Sequence, residues 1–236
     1  HIGGRIVIDG NGNTITMGNS SKFLIDADAT LTLRNIIVKN TRNQPGNPFL
    51  QCSTLGSNLC LQDVFLDLAD DFYFNCGQLF IHNNVSITGT SALIYKSPKP
   101  MFIDSDSSLY FDTNTTFSIT PATFTDCPFS SVPTTTTNNF IFMQDQTSQI
   151  YLNNCTLCTT LTGCRLTKGS LIFDNNVNIK TNAANDIYTS TPLTLAAANV
   201  NAGGDISTTE WSPNGRYILV ESYASSKFYI FDFNGT

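Results

Sequence analysis

Short apolar stretches recur along the chain in one arrangement: two apolar residues at alternate positions, then Asn or Asp, then a second apolar stretch. The clearest examples are LTLRNIIVK (31–39), LCLQDVFLD (59–67), LFIHNNVSI (79–87), IYLNNCTLC (150–158) and LIFDNNVNIK (171–180). Alternation predicts half-buried β-strands. Asn and Asp tolerate the left-handed backbone that a tight corner needs. A unit of strand, corner and strand repeating roughly every 20 to 30 residues predicts a β-solenoid.

The repeated phrases align on their second apolar residue, and a shorter predicted strand precedes most of them. One coil cannot bury its own apolar face, so we expect stacked coils with Ile, Leu, Val, Phe and Cys inside. The fold class is therefore predicted to be all-β, a parallel β-helix of about seven coils. The aligned positions are Ile8, Leu33, Leu61, Ile81, Phe111, Leu152 and Phe173, and the short strands are 23–26, 49–52, 72–75, 101–104, 140–143 and 164–167.

The opening stretch RIVIDGNGNTITM (5–17) carries an I-x-I-D-G-x-G-x-x-I phrase. This phrase resembles the first coil of the pectin lyase-like superfamily, and the resemblance covers residues 1 to about 198. It implies a right-handed parallel β-helix. The superfamily includes pectate lyases, polygalacturonases, adhesins and phage tailspikes, so the fold alone does not fix a function.

The pattern changes after residue 198. Strands are predicted at 206–211, 216–223 and 227–233, and Asn214-Gly215 is a strong hairpin signal. The string WSPNGRYILVES…KFYIFDF resembles part of a WD-repeat or TolB-like propeller blade. We therefore predict a β-helix domain at 1–198 and an antiparallel three-stranded segment at 199–236, either part of a propeller blade or a cap on the end of the β-helix. We expect the chain to be a piece of a longer protein.

Composition narrows the possible partners. The chain has 236 residues, 41% hydrophobic, with a net charge of −6 and only 12 scattered Lys and Arg. Nucleic acid binding needs a basic surface, so it is not expected. No apolar run is long enough for a membrane helix, so membrane insertion is not expected either.

The seven cysteines allow several interpretations. We favour buried small hydrophobes. Alternatives are one or two disulfides involving Cys127, Cys158 or Cys164, or a metal site at Cys155-x-x-Cys158, which lacks a second pair. An extracellular or cell-surface location is predicted, with the periplasm and a reducing cytoplasm as alternatives.

Paired aspartates are the main candidates for chemistry. Asp26 with Asp28 and Asp104 with Asp106 recur in FIDADAT and FIDSDSS. We interpret both as corner residues, with a calcium site as the alternative; no other cofactor is expected. The only grouped candidates for ligand binding are Tyr95, Lys96, Lys99, Asp104 and Asp106.

No catalytic residue is assigned. A polygalacturonase-like enzyme carries G-H-G and R-I-K motifs, which this chain lacks, and His82 is expected to be a surface side chain. F-x-x-N repeats such as Phe72–Asn75 and Phe80–Asn83 resemble those of polymorphic outer-membrane adhesins. The sequence thus favours a non-catalytic, exported or cell-surface β-helix for adhesion, glycan binding or scaffolding, with a glycan or another surface protein as partner. The alternative is a divergent lyase or hydrolase acting on acidic polysaccharide. Binding is expected in the insertions 40–48 and 119–139.

Overall fold

A computed structural model describes most of the chain. It covers residues 1–44, 47–120, 141–159, 164–166, 168–174, 177–181, 187–189, 194–195, 206–211, 217–222 and 227–232. Within these ranges every regular element is a β-strand, and no helix is long and apolar enough to cross a membrane. The parallel sheets stack as a β-solenoid of about six turns, where about seven coils were expected.

The strands of the solenoid are short except for three that run through a corner. The first twelve are β1 (Arg5–Asp9), β2 (Thr14–Thr16), β3 (Phe23–Ile25), β4 (Thr30–Lys39), β5 (Asn43–Gln44), β6 (Asn47–Pro48), β7 (Leu50–Cys52), β8 (Asn58–Leu68), β9 (Phe72–Phe74), β10 (Gln78–Gly89), β11 (Ala92–Tyr95) and β12 (Met101–Ile103). The next ten are β13 (Ser108–Phe111), β14 (Thr116–Ile119), β15 (Ile141–Met143), β16 (Gln149–Leu152), β17 (Thr156–Thr159), β18 (Cys164–Leu166), β19 (Ser170–Phe173), β20 (Asn178–Thr181), β21 (Ile187–Thr189) and β22 (Thr194–Leu195). All six predicted short strands are present.

Each coil passes through three faces in chain order. The first face holds β1, the N-terminal halves of β4, β8 and β10, and then β12 and β15. The second face holds β2, the C-terminal halves of the same long strands, and then β13, β16, β19 and β22. The third face holds β3 paired with β7, and β9, β11, β14, β17 and β20 in a separate parallel sheet.

Columns of apolar side chains fill the interior, one residue per coil. On the first face Leu33 pairs in turn with Leu61, Ile81 and Ile103, each at most 1% exposed. The second face contributes Ile36, Val64, Val85, Leu109 and Ile150 in the same way. Stacking removes this apolar surface from water, which is the main driving force for the fold.

The corner between the first and second faces is a single residue in two coils. Asn35 (φ 48°) and Asp63 (φ 52°) lie inside continuous strands in the left-handed conformation. That residue resets the alternation, because both Leu33 and Ile36 point inward although they are three positions apart. Asx residues adopt this backbone most readily among non-glycine residues, so the corner prediction is confirmed at these positions.

The same corner widens along the solenoid. Asn83 and Asn84 together face Asp63, which gives a bulge in β10. In the following coils residues 104–107 and 144–148 form turns between separate strands. The first coil also has a turn, at residues 10–13.

This widening corrects the alignment of the repeat. Ile8, Leu33, Leu61 and Ile81 form one column, but Ile81 continues to Ile103. Phe111 instead pairs with Ile87 on the second face and then with Leu152. The repeated phrase therefore spans the corner between the first and second faces before residue 90. After residue 90 it spans the corner between the second and third faces.

The C-terminal segment is antiparallel, as predicted. Strands β23 (Ile206–Trp211), β24 (Tyr217–Ser222) and β25 (Lys227–Asp232) pair in that order. The predicted Asn214-Gly215 turn lies outside the described residues, as does the boundary near residue 198, which stays a prediction.

The cysteines differ from one another in state. Cys52, Cys60, Cys155 and Cys158 are free thiols, so the suggested disulfide at Cys158 is wrong. Burial raises the pKa of Cys52 and Cys155 to about 12, as expected for inert buried thiols. Cys76 is in a disulfide. Cys127 and the side chain of Cys164 lie outside the described residues.

Candidate functional site

The corner between the first and second faces is called the first corner. An open groove runs along it across the early coils. It has a volume of about 640 Å³. It is lined by corner residues of the first four coils and by residues of the strands that adjoin those corners. The described residues that line it are Asn11, Gly12, Asn35, Ile36, Ile37, Asp63, Val64, Phe65, Asn84 and Ser86.

One wall of the groove is a ladder of polar corner side chains. Asn83 Nδ2 donates to Asp63 Oδ2 at 2.8 Å, and the Asn84 backbone N–H donates to Asp63 Oδ1 at 3.4 Å. Ser108 Oγ donates to Asn84 Oδ1 at 3.0 Å. These contacts fix the amide and carboxylate groups and leave Asn35 and Asn84 exposed to solvent.

The N-terminal end of the groove carries an ion pair. Arg34 donates from Nη2 at 2.6 Å and from Nε at 3.0 Å to the same oxygen of Asp9. The Asn11 backbone N–H and the Arg34 guanidinium lower the pKa of Asp9. Both side chains are about 40% exposed, at 42% and 39%, so the pair fixes orientation more than it stabilises the fold.

The floor of the groove is apolar. Ile37 and Phe65 are outward neighbours on the second face, and Phe65 is 37% exposed. Ser86 and Tyr110 continue the same outward column. Tyr110 packs on Tyr151 with ring centroids 5.0 Å apart.

This apolar floor was not identified from the sequence. A usable signal exists: VFL (64–66) and IIV (36–38) are continuously apolar, so each places an apolar side chain outside. The groove also lies at repeat residues, not in the insertions where binding was expected. Of those insertions, 40–44, 47–48 and 119–120 are described and include the antiparallel β5–β6 pair, whereas 45–46 and 121–139 lie outside the described residues.

The residues grouped from the sequence as a ligand site lie at different places on the coil, and their binding of a ligand stays a prediction. Tyr95 is fully buried, because β11 alternates and points it inward, and its hydroxyl donates to the Lys99 carbonyl at 2.6 Å. Lys96 lies over the Tyr73 ring, 5.9 Å from its centroid, beside the third face. Asp104 and Asp106 lie beyond β12, at the corner between the first and second faces.

The two aspartate pairs occupy different corners. Asp26 and Asp28 lie between the third and first faces, after β3, whereas Asp104 and Asp106 lie between the first and second faces, after β12. They therefore cannot align into one calcium site, contrary to the equivalence inferred from FIDADAT and FIDSDSS. Asp28 (φ 58°) and Asp106 (φ 53°) are left-handed turn residues, which confirms the corner interpretation.

Asp26 and Asp104 each lie beside a histidine side chain. Asp26 Oδ1 lies 3.2 Å from His1 Nδ1, and Asp104 Oδ2 lies 2.8 Å from His82 Nδ1. His82 points outward and is half-buried, in agreement with its expected surface position. Among the described residues no group of three or more His, Cys, Asp or Glu could hold a metal ion.

Comparisons with protein-family models, with curated proteins and with solved structures found no match. What stands is the architecture itself, a parallel β-solenoid.

Proposed function

We propose that the chain is a non-catalytic binding domain that holds a neutral glycan along the groove of its first corner. The observation that carries this proposal is the composition of the groove. A ladder of Asn, Asp and Ser side chains faces an apolar floor that includes an exposed aromatic ring. Few convergent polar groups over an apolar surface are typical of ligand sites.

The polar ladder suits a hydroxyl-rich ligand. Asn side chains both donate and accept hydrogen bonds, as sugar hydroxyls do. Asn35 and Asn84 lie two coils apart, about 9.6 Å at the usual layer spacing, with the corner residue Asp63 on the coil between them. A linear glycan lying along the solenoid axis meets an Asn or Asp side chain at each of these layers.

Charge favours a neutral glycan over an acidic one. Asp63 is the ionisable side chain among the described lining residues, and the flanking Asp9 is neutralised by Arg34. A uronic acid carboxylate placed beside Asp63 meets like charge. This argues against the acidic polysaccharide that a lyase or hydrolase of the resembling superfamily takes.

The disulfide at Cys76 supports an exported or cell-surface location, because disulfides persist in oxidising compartments. The sequence phrase at residues 5–17 supports a relationship to the pectin lyase-like superfamily, which we propose on that basis. The C-terminal sheet keeps its proposed origin as part of a propeller blade.

The test is a glycan array probed with the whole chain, carrying neutral and uronic acid oligosaccharides. We expect binding to neutral glycans, reduced about tenfold by Phe65→Ala through loss of one aromatic contact. Tyr73→Ala is the matched control, since Tyr73 is also exposed (40%) but lies on the third face. Binding restricted to uronic acid polymers, or equal losses in both variants, contradicts the proposal.

A further inference from the structure

Between β4 and β19, the outward column of the second face has one gap. Its members pair from coil to coil in the order Ile37, Phe65, Ser86, Tyr110, Tyr151 and Ile172. Ser86 is the small residue of this series, and it stands between two aromatic residues. The column thus consists of large outward side chains interrupted by one small residue, Ser86, which lines the groove.

The size of the gap follows from the strand spacing. Phe65 and Tyr110 lie two layers apart, about 9.6 Å at the usual spacing of paired strands. A ring placed midway lies about 4.8 Å from each, close to the 5.0 Å between the Tyr110 and Tyr151 rings. Ring contacts at this separation are favourable. The gap between Phe65 and Tyr110 therefore has the thickness of one six-membered ring.

The edge of the gap is polar. Asn84 is exposed on the same strand as Ser86, and Asp63 lies at the corner of the adjacent coil. The Ser86 hydroxyl lies at the base of the gap. A pyranose presents C–H groups on its faces and hydroxyls around its edge, and those hydroxyls can use the remaining hydrogen-bonding capacity of Asn84 and Asp63, whereas a planar hydrocarbon ring has no such groups.

We propose that the gap at Ser86 is a subsite for one pyranose ring of a neutral glycan, sandwiched between Phe65 and Tyr110 with its hydroxyls toward Asn84 and Asp63. This rests on the proposed function, which it deepens by naming the unit that the groove recognises. The stacking partners come from coils on both sides of Ser86, so the subsite exists only in the assembled solenoid.

The test fills the gap with a large side chain at position 86. Ser86→Tyr places a ring between Phe65 and Tyr110. Binding of the array's neutral oligosaccharides should then fall about 10- to 100-fold, because two ring contacts with the sugar are lost. The melting temperature should not fall. Ser86→Ala keeps the gap and should bind nearly as the parent does. Ile94→Tyr is the matched control, since it places a tyrosine beside Tyr73 on the third face.

A direct readout uses methyl β-glucoside, methyl β-galactoside and methyl α-mannoside, with phenol as a planar aromatic probe. Ring-current shifts of the glycoside C–H protons, lost in Ser86→Tyr, support the subsite. Should Ser86→Tyr fold poorly, Ser86→Val is used in its place.

The outcomes separate the two proposals. If the parent chain binds neutral glycans and a folded Ser86→Tyr or Ser86→Val variant binds equally well, the subsite is overturned and the groove proposal stands. Tighter binding of phenol than of every glycoside also overturns it. If the parent binds no neutral glycan, the proposed function itself fails.

Discussion

The early and late coils of this solenoid build the same corner in two ways. In β4 and β8 the corner between the first and second faces is one left-handed residue, Asn35 or Asp63. In the later coils residues 104–107 and 144–148 form turns with their own hydrogen bonds. Ser105 Oγ donates to Asp145 Oδ2 at 2.6 Å, and the Asp106 N–H donates to Thr147 Oγ1 at 2.6 Å.

The interior is the same in both regions, so the corner is free to vary. The inward columns pass from Ile81 to Ile103 and from Val85 to Leu109 without interruption. Where the corner is short, its side chains project into an open groove. Where it is long, Asp, Ser and Thr satisfy one another. The candidate site thus lies mainly at the short corners, together with the four-residue turn at 10–13 of the first coil.

The largest expected effect comes from the shared interior. Ile81 is fully buried and pairs with Leu61 in the early coils and with Ile103 in the late ones. We expect Ile81→Ala to lower the free energy of unfolding by about 2–5 kcal/mol, through lost transfer energy and a cavity. Urea denaturation measures it. Ile6→Ala, at a 43% exposed position, is the control; comparable losses would show that the coils do not share one core.

Exchanging one corner for the other tests the comparison itself. Replacing Asp63 with the four-residue sequence Asp-Ser-Asp-Ser of residues 104–107 should leave the solenoid folded, because lengthening such a connection costs only about 1 kcal/mol. Glycan binding should be lost because the inserted turn covers the groove. Circular dichroism and the glycan array check both results. An unfolded product would mean that the single-residue corner is structurally required.

A smaller effect is expected within the late corner. Ser148 is fully buried, and its hydroxyl donates to the carbonyls of Ile103 (3.2 Å) and Asp104 (2.8 Å). Ser148→Ala should destabilise the protein by about 1 kcal/mol. Ser57→Ala should match it, since Ser57 bonds the carbonyls of Ile25 and Asp26 in the same way at another corner. Unequal losses in urea denaturation would separate the two corners energetically.

The smallest effect is a pH dependence of the late corner. Hydrogen bonds from Ser105 and Thr147 lower the pKa of Asp145 from 3.8 to about 2. Because the folded-state pKa is the lower one, this stabilisation is present above about pH 4 and is lost as the pH falls toward 2. The measurement is the urea midpoint of unfolding as a function of pH. In Asp145→Asn the midpoint should fall less steeply at acid pH than in the parent. An unchanged slope would mean that these bonds contribute nothing measurable.

Local features of the chain could be predicted from the sequence. The six short strands, the left-handed corners at Asn35 and Asp63 and the C-terminal strands follow from alternation and from Asx chemistry. These are local properties, because the backbone preference of a residue and the parity of its neighbours depend on only a few positions. The turn role of Asp28 and Asp106 follows for the same reason.

The tertiary structure alone decided which face each strand occupies. Phe111 and Ile81 look equivalent in sequence, yet they lie on different faces because the corner between them widens from one residue to four. Tyr95 is inward because β11 joins the third face, and the groove joins residues of four successive coils. Alternation along one strand distinguishes inward from outward side chains. Only the pairing of coils, made by contacts between residues far apart in sequence, sets which residues become neighbours.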